Sequence, residues 1–119
     1  MLYYVEGIEI NIPREPGIYV LGDKNDIGKS YLREFLQKAS KYAYSVCFIN
    51  PLNSHLIPAD VIYIEDYETL RSGSIDTYIR MAKTKVVIID AHKVPFENAI
   101  PAFVKVTQRH LELVRLPQV

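Results

Sequence analysis

The apolar positions change period along the chain. Ile8, Ile10 and Ile12 alternate with polar residues, the spacing of a half-buried strand, so two short strands over 2–5 and 8–12, joined at Gly7, are predicted. Pro13 to Pro16 form a turn. Ile18, Tyr19, Val20 and Leu21 are an unbroken apolar run, as in a strand buried on both faces. After Gly28-Lys29-Ser30 the period becomes helical. Tyr31, Leu32, Phe35, Leu36, Ala39, Tyr42 and Ala43 fall on one face for about four turns. The run YSVCFI over 44–49 reads as a second buried strand, 50–59 as a loop and Val61–Ile64 as a third strand. Ile75, Tyr78, Ile79 and Ala82 share a helical face, which predicts a helix over 75–83 after a turn at Arg71–Ser74, with Ser74 as its N-cap. VVIID over 86–90 is the clearest strand. Pro95 and Pro101 bracket a short helix or turn, and Phe103–Val106 with Leu111–Leu116 predict two strands, read as a hairpin.

Apolar strands alternating with amphipathic helices predict an α/β fold. The expected architecture is a mainly parallel central sheet flanked by helices, with a short antiparallel strand pair at the N-terminal side. The 119 residues predict one compact domain over 1–119. Lys plus Arg and Asp plus Glu each number 14, for a net charge of zero, so there is no strong electrostatic signal for nucleic acid or an anionic membrane. A single cysteine, Cys47, excludes an intrachain disulfide and fits a reducing compartment. The opening MLYYVEGIEI lacks a basic, then apolar, targeting pattern. Apolar runs of about five residues fall far short of the ~20 that span a bilayer. The expectation is a cytoplasmic protein without a membrane partner.

The stretch GIYVLGDKNDIGKSYL, residues 17–32, carries the chemistry. A strand runs into a loop and the loop into a helix, so backbone N–H groups and the positive helix end converge on one point, the arrangement that holds phosphate. In the Walker A pattern a lysine reaches the terminal phosphates and a Ser or Thr hydroxyl meets Mg²⁺. Lys29 and Ser30 stand where those roles require. Gly22, Asn25, Gly28 and Tyr31 complete the candidate nucleotide-binding set. The pattern asks for glycine five residues before Gly28, where the chain has Asp23. Asp23 and Asp26 would set negative charge near phosphate, a repulsion of about 3 kcal/mol for unit charges 6 Å apart at an effective dielectric of ~20.

Such a loop needs a carboxylate partner for Mg²⁺ at the end of a neighbouring strand. Asp90 ends the aliphatic VVIID, and Glu65 and Asp66 end VIYIED. Asp90 is the favoured metal partner, acting with Ser30. Glu65, Asp66 and His92 are weak catalytic candidates. His55 and His110 carry weaker signals still. No Cys/His group has metal-ligand spacing, and no nucleophile triad is visible.

GIEINIPREPGIYVLGDKNDIGKSYL resembles the opening of the P-loop ATPases of the ABC, SMC and RecF type, in which a short antiparallel strand and a turn precede the buried strand and the GKS helix. The resemblance covers residues 7–36 and 84–92. It implies a minimal P-loop NTPase fold, with the family's lysine and serine at Lys29 and Ser30 and its strand-end aspartate at Asp90. Its adenine-stacking aromatic would fall on Tyr3 or Tyr4. The loop glycines are replaced by Asp23 and Asp26. The glutamate that follows the strand-end aspartate is Ala91, and Leu70-Arg71-Ser72-Gly73 only echoes the LSGG signature.

Three functions follow as expectations. The first is a small protein that binds a nucleoside triphosphate, ATP rather than GTP, with Mg²⁺ and with weak or no hydrolysis. The second is a non-enzymatic interaction module on a degenerate P-loop fold, such as a phage or mobile-element protein that binds and inhibits a larger host enzyme. The third is a small-molecule kinase using Arg71, Arg80 or Arg109. A protein partner or a homodimer fits the first two.

Overall fold

The computed structural model describes residues 1–21, 26–41, 46–48, 59–64, 79–90 and 99–116. Its elements are β1 (Leu2–Val5), β2 (Ile8–Asn11), β3 (Gly17–Leu21), α1 (Asp26–Lys41), β4 (Val46–Phe48), β5 (Val61–Ile64), β6 (Val86–Asp90), β7 (Ile100–Thr107) and β8 (His110–Arg115). All eight strands join one sheet in the order β1-β2-β8-β7-β3-β6-β5-β4.

The strands β7, β3, β6, β5 and β4 run parallel. The hairpins β1–β2 and β7–β8 are antiparallel, and β2 lies parallel to β8. Side-chain alternation divides the sheet into two parts. In β3, Tyr19 and Leu21 join the core beneath α1, while Ile18 and Val20 join a second cluster on the opposite face. In β6, Val86 and Ile88 face α1 while Val87 and Ile89 face away. Burial on both sides explains their continuous apolar runs. The strands β1, β2, β7 and β8 bury one face only, through residues such as Val5, Ile10, Val104 and Leu111. Period-2 alternation is what one-sided burial requires.

The expectation of a helix-flanked, mainly parallel P-loop-type sheet is corrected here. The sheet is mixed, strand makes up 51% of the described residues, and the chain forms a half-barrel around one helix. The physical reason lies in the two hairpins. The N-terminal pair is not a separate flank, because β2 is hydrogen-bonded to β8, with Glu9 N donating to the Arg109 carbonyl at 2.9 Å. The hairpins thus extend the sheet sideways into a one-sided wing. Both edge strands, β1 and β4, contact α1, so the sheet must curve around it.

α1 forms because Leu32, Leu36 and Ala39, all at 0% exposure, repeat at helical spacing toward that concave face. Lys38 and Lys41 in its last turn oppose the negative end of the helix dipole. The helix starts at Asp26 rather than after Ser30, so Gly28-Lys29-Ser30 belongs to its opening turns. The β7 strand begins at Ile100, before the expected Phe103, and contains Pro101 near its start, where a missing N–H costs least. Of the expected helix over 75–83, residues 79–81 are helical, and Met81 packs on the face of the sheet opposite α1. Among the described residues no helix is long and apolar enough to cross a membrane.

Candidate functional site

The β3 and β6 strands are parallel neighbours, and their last residues, Leu21 and Asp90, are register partners. The carboxyl ends of parallel strands are where α/β sheets expose a crevice. The chain leaves β3 at this point and enters α1 at Asp26. Lys29, about one turn into the helix, reaches across to β6. Its Nζ lies 3.1 Å from Asp90 Oδ1, linking residues 61 apart in sequence. Only 12% of the Lys29 side chain and 24% of the Asp90 side chain are exposed.

Lys29, Ser30, Arg33 and Asp90 line one cleft of about 180 Å³. Among the described residues the lining carries two cations and one carboxylate, a positive balance that suits an anion. The positive end of the helix dipole adds to that field. Gly28 is buried beside it in the first turn. Ser30 is exposed and presents a hydroxyl at the same cleft. No group of three or more His, Cys, Asp or Glu side chains among the described residues could hold a metal ion unaided. Mg²⁺ does not need such a cage. It is commonly held by one or two protein oxygens together with substrate phosphates and water. A serine hydroxyl and a carboxylate on one cleft fit that kind of site.

The expected site residues separate. Gly28, Lys29, Ser30 and Asp90 come together, although 61 residues divide the lysine from the aspartate. Tyr31 does not join them and lines a recess with Phe35 and Ile8 instead. Gly22, Asp23, Asn25, Glu65, Asp66, Arg71, Ala91 and His92 lie outside the described residues, as do His55 and Leu70–Gly73. Tyr3 sits in the core beneath α1, and Tyr4 points outward with its hydroxyl donating to Glu9 Oε1 at 3.2 Å. Neither lines the cleft. His110 joins β8 to β2 through Glu9, with Nδ1 2.8 Å from Oε2. Arg80 is exposed at a helix end, and Arg109 belongs to the recess of Tyr31.

Arg33 escaped the sequence reading. Its signal is the i,i+4 relation to Lys29, which places both on one flank of a helix. Compared with known proteins, the chain matches no family model, no curated protein and no solved structure.

Proposed function

We propose that the chain binds a nucleoside triphosphate, ATP in preference to GTP, with Mg²⁺ and with weak or no hydrolysis. One observation carries this reading. Lys29, Ser30 and Asp90 meet in a single cleft at the start of a helix and the end of a parallel strand. Lys29 would exchange its contact with Asp90 for the terminal phosphates. Ser30 and Asp90 would hold the metal, which when bound offsets phosphate charge and orients the group. Arg33 adds a second cation along the same flank, and a guanidinium can grip phosphate through two parallel hydrogen bonds. The residue after Asp90 is Ala91, so the glutamate that would polarise an attacking water is missing, and turnover should be slow.

Titration of a fluorescent ATP analogue with and without Mg²⁺ tests this. Saturable, Mg²⁺-dependent binding that falls at least about tenfold in Lys29→Ala is expected, the loss of one charge-assisted contact. Absence of binding up to about millimolar analogue, where the binding free energy is only ~4 kcal/mol, would remove the proposal.

A second reading, the non-enzymatic interaction module, is favoured by one feature: the Lys29 ammonium is already engaged by Asp90. A stable protein partner recovered equally by the wild type and by Lys29→Ala, together with no nucleotide binding, would select it.

A further inference from the structure

The opposite flank of α1 holds a second recess, of about 250 Å³. Ile8 of β2, Tyr31 and Phe35 of α1, and Val106, Arg109 and Leu111 of the β7–β8 hairpin line it. Tyr31 follows Lys29 by two positions, roughly 200° around the helix, so this recess and the phosphate cleft lie on different flanks. Tyr31 and Val106 are each 44% exposed, leaving an aromatic and a branched aliphatic side chain open to solvent at its edge.

Arg109 is the unusual member. It occupies the two-residue turn between the paired Thr107 and His110, with φ at 58°. That left-handed conformation costs a non-glycine residue about 1 kcal/mol, and turns of this kind favour Gly or Asn. Backbone strain of this sort tends to persist where a side chain is needed. The Arg109 guanidinium makes no hydrogen bond or ion pair among the described residues.

The other charged groups nearby are engaged with one another, two carboxylates at His110 and two at Lys38. Glu9 and Glu112 flank the His110 ring, with Glu9 Oε2 2.8 Å from Nδ1 and Glu112 Oε2 3.7 Å from Nε2. Lys38, whose ammonium lies 4.9 Å from the Phe35 ring centre, is held by Glu6 at 2.9 Å and Glu34 at 3.4 Å. Among the described residues Arg109 is thus the cation at this recess without an ion-pair partner, in a mainly apolar lining that also includes Thr107 and His110.

The geometry points to a binding site for a small organic anion, with an aromatic or branched apolar body against Tyr31, Phe35 and Val106 and a carboxylate on Arg109. Arginine suits this because its planar fork matches a carboxylate at two points. The recess lies below the ~300–1,000 Å³ of sites for drug-sized ligands, so the body is of the order of one ring. The inference does not depend on nucleotide binding at Lys29.

NMR titration with 3-phenylpropionate and with its neutral amide provides the test. The acid should give saturable shifts at Tyr31, Phe35, Val106 and Leu111, with the amide at least about tenfold weaker, the worth of one charge-assisted contact. Arg109→Asn, which suits the left-handed turn and so keeps the hairpin, should weaken the acid about tenfold and leave the amide unchanged. Any of four results would overturn the inference. The acid gives no saturable shift up to about 10 mM, beyond the millimolar range of weak specific binding. Acid and amide bind equally. The same resonances move with protein concentration alone, which marks a contact between copies. Mg²⁺-ATP displaces the acid, which makes the recess part of a nucleotide site.

Discussion

Lys29 and Asp90 each sit in an asymmetric field. Lys29 shares its cleft with Arg33 and the start of α1, both positive, while Asp90 is the carboxylate that lines it among the described residues. Replacing Asp90 by Asn therefore removes negative charge from a cleft that Lys29 and Arg33 both line. Replacing Lys29 by Met leaves the Asp90 carboxylate in a cleft that Arg33 still lines. Asp90→Asn should cost more stability than Lys29→Met, and a double-mutant cycle in urea should show a coupling of about 1–3 kcal/mol. Single effects that add within ~0.3 kcal/mol would show that the 3.1 Å contact contributes nothing. The aspartate was legible in sequence because an aliphatic strand leads into it. Arg33 was not, since a lone arginine on a helix ordinarily reads as a solvated surface residue.

At the scale of elements, α1 fills the concave side of the sheet and the β1–β2 hairpin closes over it. Leu36, at 0% exposure, belongs to the core cluster that also holds Tyr3, Val5 and Ile10 of that hairpin. Leu36→Ala should lower unfolding free energy by about 2–5 kcal/mol, whereas the exposed Gln37→Ala should stay within ~0.5 kcal/mol; equal effects in chemical denaturation would refute this packing. The hairpin turns at Glu6 and Gly7, whose φ values of 50° and 79° match the two left-handed positions of a type I′ turn. Glu6 reaches Lys38 of α1 at 2.9 Å, tying hairpin to helix. Gly7→Ala should cost about 1–2 kcal/mol although space for the methyl is open, because the backbone alone is at fault. A thermal midpoint unchanged by that substitution would contradict the turn type. Strand positions were legible because alternation or continuity of apolar residues reports burial directly. Strand partners were not. Alternation in Ile8–Ile12 says which side chains are buried, yet says nothing of β8 as the neighbour, and that pairing is what converts a helix-flanked expectation into a curved sheet.

At the scale of the whole molecule, ionisation of the buried phenols of Tyr3 and Tyr19 opposes folding. Burial holds Tyr3 and Tyr19 above the usual value of 10.0, aided by Asp60 for Tyr3 and by Glu15 for Tyr19, with Arg115 pulling Tyr19 slightly back. Tyr19 also donates its hydroxyl to the Glu15 carbonyl at 2.8 Å. Since the folded state keeps these protons longer than the unfolded chain, their contribution is complete below pH 10 and is lost as pH climbs from about 10 toward the raised folded values. The thermal midpoint should drop across that alkaline range, less steeply in Tyr19→Phe. A midpoint flat through pH 11 would exclude the effect.

The parallel seam between β2 and β8 also sets a timetable. Glu9 pairs with His110 and Ile10 with Leu111, so during synthesis the β1–β2 hairpin acquires this neighbour only after about a hundred further residues have been added. Until then Val5 and Ile10, buried in the finished protein, have no β8 to complete their shelter. Contacts of such sequence separation slow folding, because chain closure must precede any gain from them. The waiting hairpin is short and ends in a charged turn, which blunts its tendency to pair with another chain in the interval.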